Sequence, residues 1–137
     1  MFSIGQMSRA TGVKVSTIRF YEDQGLLPAA ERTAGNQRRY DETARARLAF
    51  IRHARDLGLP LADVRALISL EGARGTELNR AHDIAQKQRD NLRDRIAKLQ
   101  SLEAELSRIS NACDGQHDHV CAVLHAFSDH DSCLAAH

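Results

Sequence analysis

Apolar and polar positions follow helical rather than strand periodicity over most of the chain. Ile4, Met7 and Ala10 fall on one face of a segment that Gly12 stops, predicting a helix over Ile4–Thr11. Ser16 is placed to cap a second helix whose inner face is Ile18 and the Phe20–Tyr21 region. Gly25-Leu-Leu-Pro28 ends it, and Gly35-Asn36 marks the tight turn of a small hairpin. Asp41 caps a third helix over Glu42–Asp56, with Leu48, Ile51 and Phe50 on its apolar face and Arg45, Arg47, Arg52 and Arg55 around it; Gly58 stops it. Residues 61–70 form a short helix with Val64, Leu67 and Ile68 inward, and residues 71–75 read as a linker.

From residue 76 to 112 the rhythm changes. Ala85, Leu92, Leu99 and Leu106 recur every seven residues, joined by Ile96, Leu102 and Ile109. This is a heptad seam of about four repeats. A helix of this length would run ~50 Å at its usual rise per residue. It cannot bury its seam alone, and the chain offers no second long helix to cover it, so a two-chain coiled coil is expected. Residues 113–137 then hold a polar loop, a short apolar helix over 121–127 and a tail.

Composition adds three constraints. With 137 residues, 42% of them hydrophobic, no Trp and 4% aromatic, packing falls to Leu, Ala and Ile, which favours helices. The fold class expected is therefore mainly all-α with a small β hairpin. No apolar run approaches the ~20 residues of a membrane span, and the N-terminus does not read as a secretion signal, so a cytoplasmic protein with no membrane partner is expected. The net charge of +1 hides an asymmetry: residues 1–58 hold ten Lys/Arg and six Asp/Glu, a balance of +4, whereas residues 59–137 hold nine and twelve, a balance of −3. A basic front and an acidic back suit a nucleic-acid-binding head joined to a part that does not bind nucleic acid. No carboxylate pair or nucleophile–base constellation stands out, which speaks against an enzyme.

The segment STIRFYEDQGLLPAAERTAGNQRRY, residues 16–40, carries the most chemistry. The short connector from Gly12 to Ser16 suits a helix-turn-helix. A short helix bearing Thr17, Arg19 and Tyr21 fits a major groove, and a hairpin bearing Arg38, Arg39 and Tyr40 can grip the phosphates beside it. Arginine supplies bidentate, charge-assisted contacts and a tyrosine hydroxyl a geometric anchor. By composition alone, a solvated amphipathic helix with a basic loop reads equally well.

All three cysteines, Cys113, Cys121 and Cys133, and five of the seven histidines lie in the last 25 residues. An odd cysteine count argues against a disulfide framework. Cys113-Asp-Gly-Gln-His-Asp-His-Val-Cys121 places two thiols on either side of a Gly-containing loop, where they can converge on one metal ion with His117 or His119 adding an imidazole. Taken alone, the spacing is a weak signal and reads first as two ordinary thiols in a polar loop.

The chain closely resembles the MerR family of bacterial transcription regulators. The likeness covers residues 1–70 in unbroken order: Ile4-Gly5, Gly12-Val, Thr17-Ile-Arg-Phe-Tyr-Glu22, Gly25-Leu-Leu-Pro28, Arg32, Gly35-Asn36, Arg38–Tyr40 and Phe50-Ile-Arg-His-Ala-Arg55. Phe20 stands where many relatives carry Tyr. The resemblance implies a winged helix-turn-helix head over 1–70, a linker over 71–75, a long antiparallel coiled-coil dimerisation helix over 76–112 and a C-terminal metal-binding loop, short helix and tail over 113–137. It implies a homodimer on double-stranded promoter DNA, whose ligand-bound form kinks and untwists the duplex so that RNA polymerase engages both promoter elements.

At the end of the dimer helix, the Cys113–Cys121 loop looks like that of the metal-sensing branch. In relatives that sense divalent ions a third cysteine opens the dimer helix, and in copper(I) sensors a serine stands there. The family spacing, 35 residues before Cys113, falls on Leu78, which cannot coordinate. Leu78 suits a dry site around a two-thiolate linear ion. Against that, His82, which reads first as a surface helical histidine, lies one turn further on, and His125, His130, Cys133 and His137, which read equally as a disordered His-rich end, offer borderline ligands suited to zinc. A zinc-type divalent ion is the favoured expectation, with copper(I) as the alternative. A thiol redox sensor based on Cys113 and Cys121 is a third reading. A drug sensor would need a larger C-terminal domain than these residues provide.

Overall fold

The computed structural model describes residues 1–112 and 122–128. Their elements are β1 (Phe2–Ser3), α1 (Ile4–Thr11), α2 (Val15–Asp23), β2 (Glu31–Arg32), β3 (Arg38–Tyr40), α3 (Glu42–Asp56), α4 (Leu61–Ser69), a 3-10 turn (Gly75–Leu78), α5 (Asn79–Asn111) and α6 (Ala122–Ser128). Two compact units result, Met1–Ala85 and Gln86–His137. As composition required, the protein is mostly helical with one small sheet.

In the first unit, α1 starts with a reciprocal cap. The Ser3 side chain accepts from the Gln6 amide at 3.2 Å, and the Gln6 side chain accepts from the Ser3 amide at 2.8 Å. The helix ends at Gly12, whose φ of 74° lets its amide reach back to Ser8 O. Arg52 of α3 closes this turn by donating to Thr11 O. A β-carbon at residue 12 would displace the Arg52 guanidinium, 1.6 Å away, from this turn, and the positive φ is what calls for glycine.

The core gathers Met7, Ile18, Leu26, Tyr40, Leu48, Ile51 and Val64, all fully buried. Each large aliphatic side chain among them contributes about 1.5–3 kcal/mol by leaving water. Phe2, Ile4, Leu61, Leu67, Ile68 and Ile84 pack around it half-buried. Asp41 caps α3 through the Ala44 amide at 2.8 Å, as the sequence suggested.

Several local expectations change. The cap of α2 is Lys14, not Ser16: the Lys14 carbonyl already accepts the first helical bond, from Ile18 N, which leaves Ser16 inside the helix. Tyr21 lies one turn beyond Ile18 and is buried with it, whereas Phe20 falls two positions from Ile18, on the opposite side, and is exposed. Phe50 is displaced from Leu48 in the same way and is also exposed. On α1, Ala10 is exposed and Thr11 is buried, its hydroxyl donating to Met7 O. The long helix begins at Asn79, after the 3-10 turn, rather than at 76.

The sheet has the order β1-β3-β2 and is antiparallel throughout, with Phe2 opposite Tyr40 and Arg32 opposite Arg38. The hairpin β2–β3 is the expected one, turning through Asn36 at φ 63°. The third strand, β1, is two residues long, too short to show a period of its own.

In the second unit the helix leaves most of its seam open, with Leu102 half-buried and Ile109 covered. Leu92, Ile96, Leu99 and Leu106 are all exposed in the single chain, and every residue from 91 to 100 is exposed. Ile109 and Glu105 are buried, and Glu105 pairs with Arg108 one turn on.

Candidate nucleic-acid interface and sensor segment

Arg19 of α2 and Arg38 of β3 are 19 positions apart in sequence and line one groove, of about 370 Å³. Arg32 of β2, Asn36 and Gln37 of the hairpin turn, and Ser3 and Ile4 at the start of α1 complete its walls. Three guanidinium groups with amide side chains between them, on a concave surface, form a site for a polyanion: the arginines neutralise phosphates and the amides offer donors and acceptors. Arg32 also donates to Asn36 O at 3.2 Å, so one wall of the groove braces the hairpin turn.

Not every residue singled out in the sequence faces this groove. On α2, Arg19 is exposed and lines the groove, whereas Thr17 is half-buried and does not. Tyr21 is in the core, its ring centroid 6.0 Å from that of Phe20. Tyr40 lies on β3 but only 1% of it is exposed, and its hydroxyl donates to Glu22 Oε2 at 2.7 Å. Burial, then that hydrogen bond and the nearby carboxylate charge, push the Tyr40 pKa well above the ordinary tyrosine range. Both tyrosines therefore fix α2 and β3 from behind. Arg39 alternates to the other side of the strand and lines a smaller hollow with Pro28, Ala30 and Glu31.

Glu22 escaped the sequence reading. Besides Tyr40, it accepts from the Ala30 amide at 3.2 Å and pairs with Arg38 Nε at 3.6 Å. The available signal was an acid between two basic stretches, but its partners lie 8 to 18 residues away and only folding brings them together.

Of the residues that the sequence offers as metal donors, Cys113, His117, His119, Cys121, His130, Cys133 and His137 lie outside the described residues. His82 is exposed on α5 and His125 exposed on α6. Among the described residues no three His, Cys, Asp or Glu side chains come together as a metal site. Leu78 ends the 3-10 turn and, with Phe50, Leu67, Ile68, Leu70 and Ala81, lines an apolar groove of about 620 Å³. Among the described residues no helix is long and apolar enough to cross a membrane.

A helix, a tight turn, a second helix bearing an exposed arginine and a basic hairpin against it define a winged helix-turn-helix head. The sequence matches the family model described as MerR HTH family regulatory protein over residues 2–71, and that described as MerR, DNA binding over residues 45–109. It is 37% identical to the HTH-type transcriptional regulator ZntR of Escherichia coli K12, over 92% of both chains. It is 35% identical to the mercuric resistance operon regulatory protein of Pseudomonas fluorescens, over 89% of this chain and 83% of that one. The fold matches the crystal structure of the transcription regulator PbrR691 from Ralstonia metallidurans CH34 in complex with lead(II), with a TM-score of 0.78 and 32% identity over 93% of this chain and 99% of that one. The chain belongs to the MerR family of helix-turn-helix regulatory proteins.

Proposed function

We propose that this chain is a metal-responsive transcriptional regulator that binds promoter DNA as a homodimer and activates transcription by distorting the promoter when metal binds. The groove shared by Arg19, Arg32 and Arg38 carries the reading: it joins the helix and the hairpin into one cationic surface in the part of the chain that matches the family model. Residues 1–70 are the reader, with Thr17 and Arg19 reaching into the major groove and Arg38 and Arg39 gripping phosphate, while Tyr21 and Tyr40 hold these elements in place. Residues 76–112 pair with a second copy through the open leucine seam. RNA polymerase then meets a promoter whose deformation energy the dimer has supplied.

Cys113 and Cys121 are the thiolate donors of the sensor, with His117, His119, Cys133 and His82 as auxiliary donors and the tail residues His125, His130 and His137 in reserve. Thiolate with imidazole suits zinc-type divalent ions, which we favour. The similarity to regulators of mercuric resistance and to a lead(II)-bound regulator supports a thiophilic inducer. The copper(I) reading draws on Leu78, which offers no donor and sits in an apolar groove.

The test is elemental analysis and competition titration of the purified, reduced protein, with metal-dependent transcription from its promoter as readout. Tight binding of a zinc-type ion that requires Cys113 and Cys121 is expected. A linear two-thiolate copper(I) complex of higher affinity selects the second reading. A response that needs an oxidant and no metal would leave a thiol redox regulator.

A further inference from the structure

Glu22 places a carboxylate behind a surface otherwise built to hold an anion. Its side chain is 14% exposed, and its two oxygens are divided between the loop and the sheet: Oε1 accepts from the Ala30 amide, and Oε2 accepts from the Tyr40 hydroxyl. Oε2 also lies 3.6 Å from Arg38 Nε. That nitrogen is buried and has no hydrogen-bond partner. At this separation the carboxylate attracts the guanidinium without satisfying it, so the inner edge of Arg38 is steered by charge while the side chain still lines the groove it shares with Arg19. One residue at the end of α2 therefore connects the loop before β2, the buried end of β3 and the cation on the groove wall.

We propose that Glu22 is a positioning residue that holds Arg38 at a set place opposite Arg19 and, by competing with phosphate for that guanidinium, favours correctly shaped DNA over DNA of any sequence. The inference rests on the reading of the head as a DNA binder. A free arginine on a flexible hairpin finds a phosphate on any duplex, because phosphate contacts carry no sequence information. An arginine held by a carboxylate engages only when the backbone arrives where the guanidinium already is, since swinging elsewhere abandons the ion pair.

The experiment uses the full-length protein, a duplex selected by the wild type from a randomised pool, and a scrambled duplex of the same length. Glu22→Gln keeps the side-chain shape and one acceptor oxygen but removes the charge. It is expected to tighten binding to the scrambled duplex at least threefold, to leave selected-duplex binding unchanged or weaker, and to steepen the logarithmic salt slope on the scrambled duplex by about 0.9, the value of one added phosphate contact. Asp23→Asn removes a charge from an exposed neighbour on the same helix and should shift both duplexes by a common factor, leaving their ratio intact. Thermal melting confirms that each variant is folded. A Glu22→Gln protein that melts like the wild type and keeps its duplex ratio and salt slope overturns the proposal, as does Asp23→Asn lowering the ratio equally. If the wild type selects no duplex from the pool, the DNA-binding reading itself fails and takes this inference with it.

Discussion

The two units of this protein treat their apolar residues in opposite ways. In Met1–Ala85, the inner faces of α1, α2, α3 and α4 meet one another, and Met7, Ile18, Leu48, Ile51 and Val64 are removed from water within a single chain. In Gln86–His137, Leu92, Ile96, Leu99 and Leu106 keep their heptad spacing but remain exposed. The same periodic signal thus has two outcomes. Where several amphipathic helices are joined by short turns, each seam finds its cover in its own chain. Where one helix of 33 residues carries the seam, Leu92, Ile96, Leu99 and Leu106 stay uncovered among the described residues, which fits the proposed pairing with a second copy.

The sharpest way to separate the units is to disable the proposed sensor. Replacing both Cys113 and Cys121 with Ser should abolish metal-dependent transcription while the protein still retards promoter DNA, because the reader's side chains all belong to the first unit. A metal response that survives both changes would move the sensor to the tail histidines. Next in size is the seam: Leu99→Asp puts a charge where a partner helix should close and is expected to weaken dimerisation at least ~100-fold. Sedimentation equilibrium measures this. A wild type that is monomeric at micromolar concentration would instead remove this contrast between the units.

The head should respond differently. Leu48→Ala is expected to cost about 2–5 kcal/mol of unfolding free energy, measured by denaturant titration, with the mass of the folded species unchanged. Loss of the dimer at full head stability would mean the units are not independent. Smaller still, Arg38→Ala should lower the salt slope of DNA binding by about 0.9, one phosphate contact.

The least disruptive probe is pH. Folding raises the Tyr40 pKa above the ordinary value of 10.0, so the native state holds its proton more tightly than the unfolded chain. The stabilisation is complete below that value and is lost as the pH climbs through the folded pKa. Denaturant midpoints should therefore fall on the alkaline side of 10.0, and less steeply in Tyr40→Phe.

Much of the head was legible in residue order because its signals are local. Gly12, Asp41 and Gly58 mark helix ends through backbone angle and capping chemistry that depend on immediate neighbours. Gly35-Asn36 places the hairpin turn for the same reason. Errors arose where one face had to be chosen over another: Phe20 and Phe50 are apolar enough for the core, but helical rotation gave the inner positions to Tyr21 and to Leu48 and Ile51. The strand β1 and the clamp around Glu22 could not be read in advance, since a two-residue strand has no period and a carboxylate carries no mark of partners 8 to 18 residues away.

The sequence by itself determined the helices, the turn, the leucine seam, the cysteine pair and the family, because periodicity, caps and motifs are written in neighbouring residues. Only the tertiary structure decided which cations share a groove. Arg38 and Arg39 are adjacent and chemically equal, yet strand alternation sends Arg38 to the groove of Arg19 and Arg39 to the hollow beside Pro28 and Glu31. It also turned Tyr40 from a candidate ligand of DNA into a buried anchor on Glu22. The reason is geometric: a strand gives successive side chains to opposite faces, and which face meets α2 depends on how β3 pairs with β1 and β2, a choice made between segments distant in the chain.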